Sequence, residues 1–204
     1  MKLDPFQKGS HVITFSPFAD DFVTKIEGKD GKKKNKGLKE VNIQEVVHRK
    51  DGGILMICEK VKEINRVPSS GASYYSRTNA ARYSIDHYYD DLFVVSIHAN
   101  GQIHWSNILH KKQFSQDDSA AYSSFFLAKT PRNLRVVFND NIRTENNVSE
   151  YTINGKGEVE RNGVMSTDNQ GLKLRFTEAI QISSTEIIVP SERRNRLKLV
   201  RIKY

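Results

Sequence analysis

The dipeptide Asn100-Gly101 stands between two β-rich arms, Leu92 to Ile97 and Ile103 to Leu109, and this feature restricts the fold most. Asn and Gly are the two residues that best tolerate the positive φ that both central positions of a type I′ turn require. Flanked by Phe, Val, Ile and Trp, they predict an antiparallel hairpin. The same grammar recurs downstream. Leu134 to Phe138 reads as a strand, Ser149 to Arg161 as strand–turn–strand around Gly155 and Gly157, and Ile187 to Val189 as a strand. A charged turn then leads into Arg196 to Lys203. Helical periodicity is nearly absent, and Phe22 to Ile26 reads as a strand of a weaker upstream unit with Val12 to Phe15 and Leu38 to Val47.

Aligned on their apolar strands (Ile54–Cys58, Leu134–Phe138, Ile187–Val189), the segments form three copies of one unit: strand, polar gap, second strand. A repeat near ~50 residues with three or four strands is the size of a propeller blade. The expectation is therefore an all-β, antiparallel chain of repeated three- or four-stranded units, β-propeller-like, with a β-sandwich or barrel as the alternative. Residues 1–47 read as N-terminal strands with a basic loop, a possible partial blade. Residues 48–204 read as three repeat units, with a Tyr-rich insertion at 61–90.

Composition narrows the function classes. No run approaches the ~18 apolar residues that span a bilayer as a helix. The start, Met1-Lys2-Leu3-Asp4-Pro5, lacks the apolar stretch of a signal peptide. A cytoplasmic protein, an exported one whose leader was removed and a piece of a longer chain all fit. Cys58 is the single cysteine, so neither an internal disulfide nor a thiolate zinc site is expected. Its place in Gly53-Ile54-Leu55-Met56-Ile57-Cys58 marks it as a small buried hydrophobe rather than a reactive thiol. The net charge of +8 is densest at Lys29, Lys32, Lys33, Lys34, Lys36 and Lys39, among glycines. Without interleaved aromatics this reads as a solvated loop, and specific nucleic-acid recognition is not expected.

Four histidines, His87, His98, His104 and His110, raise the question of a metal. A two-residue turn at Asn100-Gly101 would pair His98 with Ile103 and Ile97 with His104, placing His98 and His104 on opposite faces. No metal site is expected from that pair. The acidic pairs Asp20-Asp21, Asp90-Asp91 and Asp117-Asp118 read as turn residues, with calcium at Asp117-Asp118 or around Asn139-Asp140-Asn141 as the sharper reading. No nucleophile elbow, P-loop, metalloprotease or dinucleotide motif is present, so no catalytic residue and no cofactor are assigned. Trp105, alternating with Ile103, reads as core or as a stacking platform.

The string Tyr88-Tyr89-Asp90-Asp91-Leu92-Phe93-Val94-Val95-Ser96-Ile97 is followed by Asn100-Gly101-Gln102-Ile103-His104-Trp105, Lys112 to Asp118 and Ser123-Ser124-Phe125. Together these resemble the repeats of poorly characterised bacterial proteins with propeller-like folds. The resemblance implies that fold and a periplasmic or exported location, and it carries no catalytic residue.

The strongest functional candidate is the insertion, where Tyr74, Tyr75, Arg77, Tyr83, His87, Tyr88 and Tyr89 lie among Ser, Gly and Ala. Tyrosine offers a large amphipathic contact surface at low entropic cost, and Ser, Gly and Asn supply adaptable hydrogen bonds. The segment reads either as a binding surface or as a cover over a sheet edge. The expected function is a noncatalytic binding or scaffold module for a protein or glycan partner. A hydrolase of an envelope polymer using loop carboxylates is one alternative. An architectural part of a larger ring, completed by the rest of a longer chain or by a second copy, is the other.

Overall fold

The structure, a computed structural model, describes residues 15–28, 37–66, 83–140, 142, 147–167, 170–193 and 195–204. The chain is mostly antiparallel β. The first sheet runs β1(Val41–His48), β2(Ile54–Arg66), β3(Ser84–Ile97), β4(Ile103–Leu109) in that order, with β5(Gln113–Gln116) added to β3. The second runs β6(Phe126–Lys129), β7(Asn133–Asn139), β8(Asn147–Asn154), β9(Val159–Ser166), and the third β10(Ile180–Ser183), β11(Glu186–Arg193), β12(Arg196–Lys203). The second and third are up-and-down meanders in chain order; the first is one through β4, after which β5 returns to pair with β3. The three apolar segments aligned in the sequence fall in β2, β7 and β11, each the second strand of its sheet. No closed sheet occurs among the described residues.

Three hairpins close with one turn geometry. The Arg49, His98 and Asn154 amides donate to the Gly53, Gln102 and Glu158 carbonyls at 2.9, 2.9 and 3.1 Å. In each, the fourth residue, Gly52, Gly101 or Gly157, takes a left-handed φ of 81–88° and returns its amide to the first carbonyl. These are three-residue loops ending in a left-handed glycine.

That geometry corrects the expected register. His98 pairs with Gln102, Ile97 with Ile103, and Ser96 with Trp105, so His104 falls at a bulge. His98 and His104 therefore share a face, their rings tilted against each other with centroids 4.3 Å apart, where a two-residue turn would have separated them. The turn gained one residue because Gly101 alone takes the left-handed conformation among the loop residues 99–101.

A second correction falls at Phe22 to Ile26, which form the α-helix α1(Asp20–Glu27) and not a strand. Phe22 and Ile26, one turn apart, are buried on one face. Asp20 and Asp21 sit in the first turn, where carboxylates complement the helix dipole. Gly28, with φ 63°, ends the helix. Asp90 and Asp91 also depart from expectation, lying within β3 and not in a turn. Of the other strands read upstream, β1 covers most of Leu38 to Val47, Phe15 is exposed and outside a strand, and 12–14 lie outside the described residues.

The chain divides into two compact units, 1–60 with 91–109, and 61–90 with 110–204. In the first, Phe22 and Ile26 pack with Cys58, Phe93 and Val95, and Met56, Ile97, Ile103 and Ile108 lie against them. Phe18, Phe22 and Phe93 form a ring cluster with centroids 5.4–6.3 Å apart. In the second unit the core gathers Ala128, Val137, Val148, Leu172, Leu174, Phe176, Ile187, Val189 and Ile202. Cys58 is 2% exposed, and burial pushes its thiol up to about 11. It is the small buried hydrophobe that the sequence indicates.

Candidate binding surfaces

Of the seven residues singled out in the insertion, Tyr74, Tyr75 and Arg77 lie outside the described residues, as do Lys29 to Lys36 of the basic loop. The other four are on or beside β3. Within 61–90 the described chain is strand: β2 continues to Arg66 and β3 begins at Ser84. Tyr83, just before β3, is 69% exposed.

Strand alternation then sorts the remaining three. β3 pairs with β5 so that Asp86 faces Gln116, His87 faces Ser115, Tyr88 faces Phe114 and Tyr89 faces Gln113. Asp86 and Tyr88 thus share one face, and His87 and Tyr89 the other. His87 is buried, with Nδ1 3.0 Å from the Glu63 carboxylate.

The His87–Tyr89 face belongs to a buried polar seam. The Lys111 ammonium donates to the Tyr89 carbonyl and to Gln113 Oε1, both at 2.8 Å. Gln113 Nε2 donates to the Asn139 and Ser124 carbonyls, and Gln113 Oε1 accepts the Ser124 amide at 2.7 Å. Asn139 Nδ2 donates to the carbonyls of Tyr122 and Leu174. Nearly every side chain here is committed to backbone. The seam fixes where loops run, and such satisfied networks specify structure.

The Asp86–Tyr88 face is different. Asp86 is fully buried, yet its carboxylate is paired with Arg66, whose side chain is 60% exposed. Gln116 Nε2 donates to Asp86 Oδ1 at 2.9 Å, and the Tyr88 ring lies against Phe114 at 4.9 Å. Hydrogen bonding to Tyr88 and Asp86 raises the Arg66 guanidinium pKa further. A cation that stays charged is thus held from beneath by a buried anion, beside an aromatic pair. Arg66, Asp86 and Phe114 were missed as site residues in the sequence. Their signal was the facing of Asp-x-Tyr on β3 with Phe-x-Gln on β5, which needs the register to be seen.

Elsewhere, a concavity of about 460 Å³ is lined by Tyr122, Lys173, Glu192, Arg193 and Asn195. The Tyr122 hydroxyl donates to the Glu192 carbonyl at 3.2 Å, and the Lys173 ammonium lies 5.3 Å from the Tyr122 ring centroid. Burial, then the nearby Glu192, raises the Tyr122 hydroxyl pKa.

The remaining sharp readings find their groups engaged elsewhere. Asp117 Oδ1 accepts the Ile85 amide and Asp118 Oδ1 the Ala120 amide, at 2.8 and 2.9 Å. Asp140 accepts from Ser149 and Arg161. Near the paired histidines, Arg49 bonds Ser96 and Asp51, and one guanidinium nitrogen lies 3.4 Å from His104 Nδ1. Among the described residues no group of three or more His, Cys, Asp or Glu is placed to hold a metal ion. Trp105 is half-buried. No helix among them is long and apolar enough to cross a membrane. No protein-family model, curated protein or solved structure matches the chain.

Proposed function

We propose that the chain is a noncatalytic binding module whose β3–β5 face engages a protein or glycan partner. The observation that carries this reading is the exposed Arg66 guanidinium, fixed by fully buried Asp86 beside the Tyr88–Phe114 pair. A preorganised cation next to rings loses little entropy on binding. It suits carboxylate or hydroxyl acceptors and the flat faces of sugars or peptide side chains. Tyr83, just before β3, is exposed and is a further aromatic candidate. The three successive sheets are read here as blade-like units of a propeller-like array, since each contains three or four neighbouring strands in chain order.

The test is direct. The chain is immobilised and screened against a glycan array and against cell-envelope protein fractions, with Arg66→Lys, Tyr83→Ala and Phe114→Ala tested in parallel. Loss of the captured ligand in Tyr83→Ala and Phe114→Ala, with circular dichroism unchanged, supports the site. Undiminished capture by all three folded variants sinks it.

A further inference from the structure

We propose that the open edge of β12 takes an extended, acidic and apolar segment of another protein as an added strand. This surface is separate from the β3–β5 face and does not depend on the reading given to it.

The backbone supplies the template. β12 is the terminal strand of its sheet and, among the described residues, pairs only with β11. The Tyr204 amide donates to the Thr185 carbonyl at 2.9 Å. Antiparallel strands alternate between residues whose N–H and C=O face the partner strand and residues whose groups face away. With Tyr204 facing inward, Ile202, Val200, Lys198 and Arg196 also turn their backbone toward β11. Leu197, Leu199, Arg201 and Lys203 therefore present theirs to the open edge. Adding a strand there satisfies these groups in the manner of β-augmentation.

The side chains say what kind of strand. Register places Ile180, Ile188 and Arg201 on one outer face with Pro190 opposite Leu199 and Glu192 opposite Leu197. Leu197 and Leu199 are 67% and 68% exposed, and Ile180 is 64% exposed. The inner face of the same strands buries Ile187, Val189 and Ile202 in the core. An edge meant only to repel strands carries cations or proline along its length. On β12 the outward row holds Leu197 and Leu199 together with Arg201 and Lys203, and both of those cations are already paired with Glu186.

Charge then selects the occupant. From Glu186 to Tyr204 the chain holds six Lys or Arg and two Glu, and β12 itself holds Arg196, Lys198, Arg201 and Lys203 with no acid. Glu186 pairs with Arg201 and Lys203. Arg196 and Lys198 are exposed and form no ion pair among the described residues. A second copy of β12 would bring eight cations onto one ladder, and facing like charges destabilise a strand pair. A lipid surface could meet the cations but offers nothing to the outward amides, which hydrocarbon leaves unsatisfied. A strand alternating carboxylates with apolar residues satisfies the edge, the leucines and the cations together.

The probe is a capped, fluorescein-labelled peptide of about eight residues alternating Val and Glu, a common strand length, with a Val/Lys peptide as control. Fluorescence anisotropy is followed on the full chain. The expected result is saturable binding of the Glu peptide, loss of binding for the Lys peptide, and weakening at high salt. Leu199→Pro removes an outward N–H without touching a β11 hydrogen bond and should weaken binding about tenfold or more, while Leu199→Val should stay within about threefold. The double variant Arg196→Glu/Lys198→Glu, independent of proline tolerance, should reverse the preference toward the Lys peptide. Equal binding of both peptides, or unchanged binding in both variants, overturns the proposal. So does a dimer in sedimentation that Leu199→Pro returns to monomer. Capture of the chain by phosphatidylserine vesicles, with no binding of the Glu peptide, overturns it as well.

Discussion

Asp86 and Cys58 are both withdrawn from water, and burial has opposite consequences for them. A fully buried carboxylate needs a counter-charge, so Arg66→Ala should lower the midpoint of urea unfolding. Much of that loss should return in Arg66→Ala/Asp86→Asn, because the orphaned charge is then gone. A double variant no more stable than Arg66→Ala would show that the pair is not what the carboxylate needs. Cys58 needs no partner while neutral. Its thiol titrates near 8.5 when unfolded and at about 11 in the fold. The raised pKa makes its contribution complete below about pH 8.5, and that contribution falls as pH climbs toward the folded value. Cys58→Ala should therefore lose stability less steeply than wild type between pH 8.5 and 10.5 in chemical denaturation, and a parallel slope would contradict the assignment. Cys58 was legible in the sequence from its apolar neighbours alone. The Asp86–Arg66 pair was not, since it joins two strands whose pairing no local pattern specifies.

Among the elements, hairpins were readable and their registers were not. Asn100-Gly101 announced a turn correctly, but one additional residue in the loop moved His104 next to His98 and reversed the argument about their faces. A period of two makes every such slip a change of face. α1 escaped notice because eight residues show too little periodicity to separate a helix from a short apolar strand. Only packing decides there, with Phe22 set against Phe18 and Phe93. Phe22→Ala should lower stability by about 3 kcal/mol, read from thermal or urea unfolding. A turn can also be constrained by its neighbours. A methyl group on Gly53 would sit 2.5 Å from the Ile97 carbonyl oxygen, a backbone atom. Gly53→Ala should destabilise by about 1–3 kcal/mol, whereas a neutral result would mean that this turn yields easily.

For the molecule as a whole, the fold class was legible and the grouping of strands only partly so. Apolar runs bounded by Gly, Asn and Asp gave the antiparallel character, and the three aligned segments fall in three different sheets. The lengths of β2 and β3 could not be read, because their polar ends looked like insertion; packing of His87 and Asp86 keeps those ends in the sheet. Each unit has its own core, and each core has a fully buried aromatic at its centre. Phe176→Ala should cost about 3–5 kcal/mol in the second unit; a loss under 1 kcal/mol in urea unfolding would show that the site collapses around the missing ring.

The first unit is assembled from two separate stretches, 1–60 and 91–109. A ribosome delivers them apart, with the first thirty residues of the second unit between them. The β1–β2 hairpin can form as soon as it emerges, with α1 already made, but the apolar face around Cys58 is completed only by Phe93 and Val95. Until residue 109 is made, that nascent face is what a chaperone would meet.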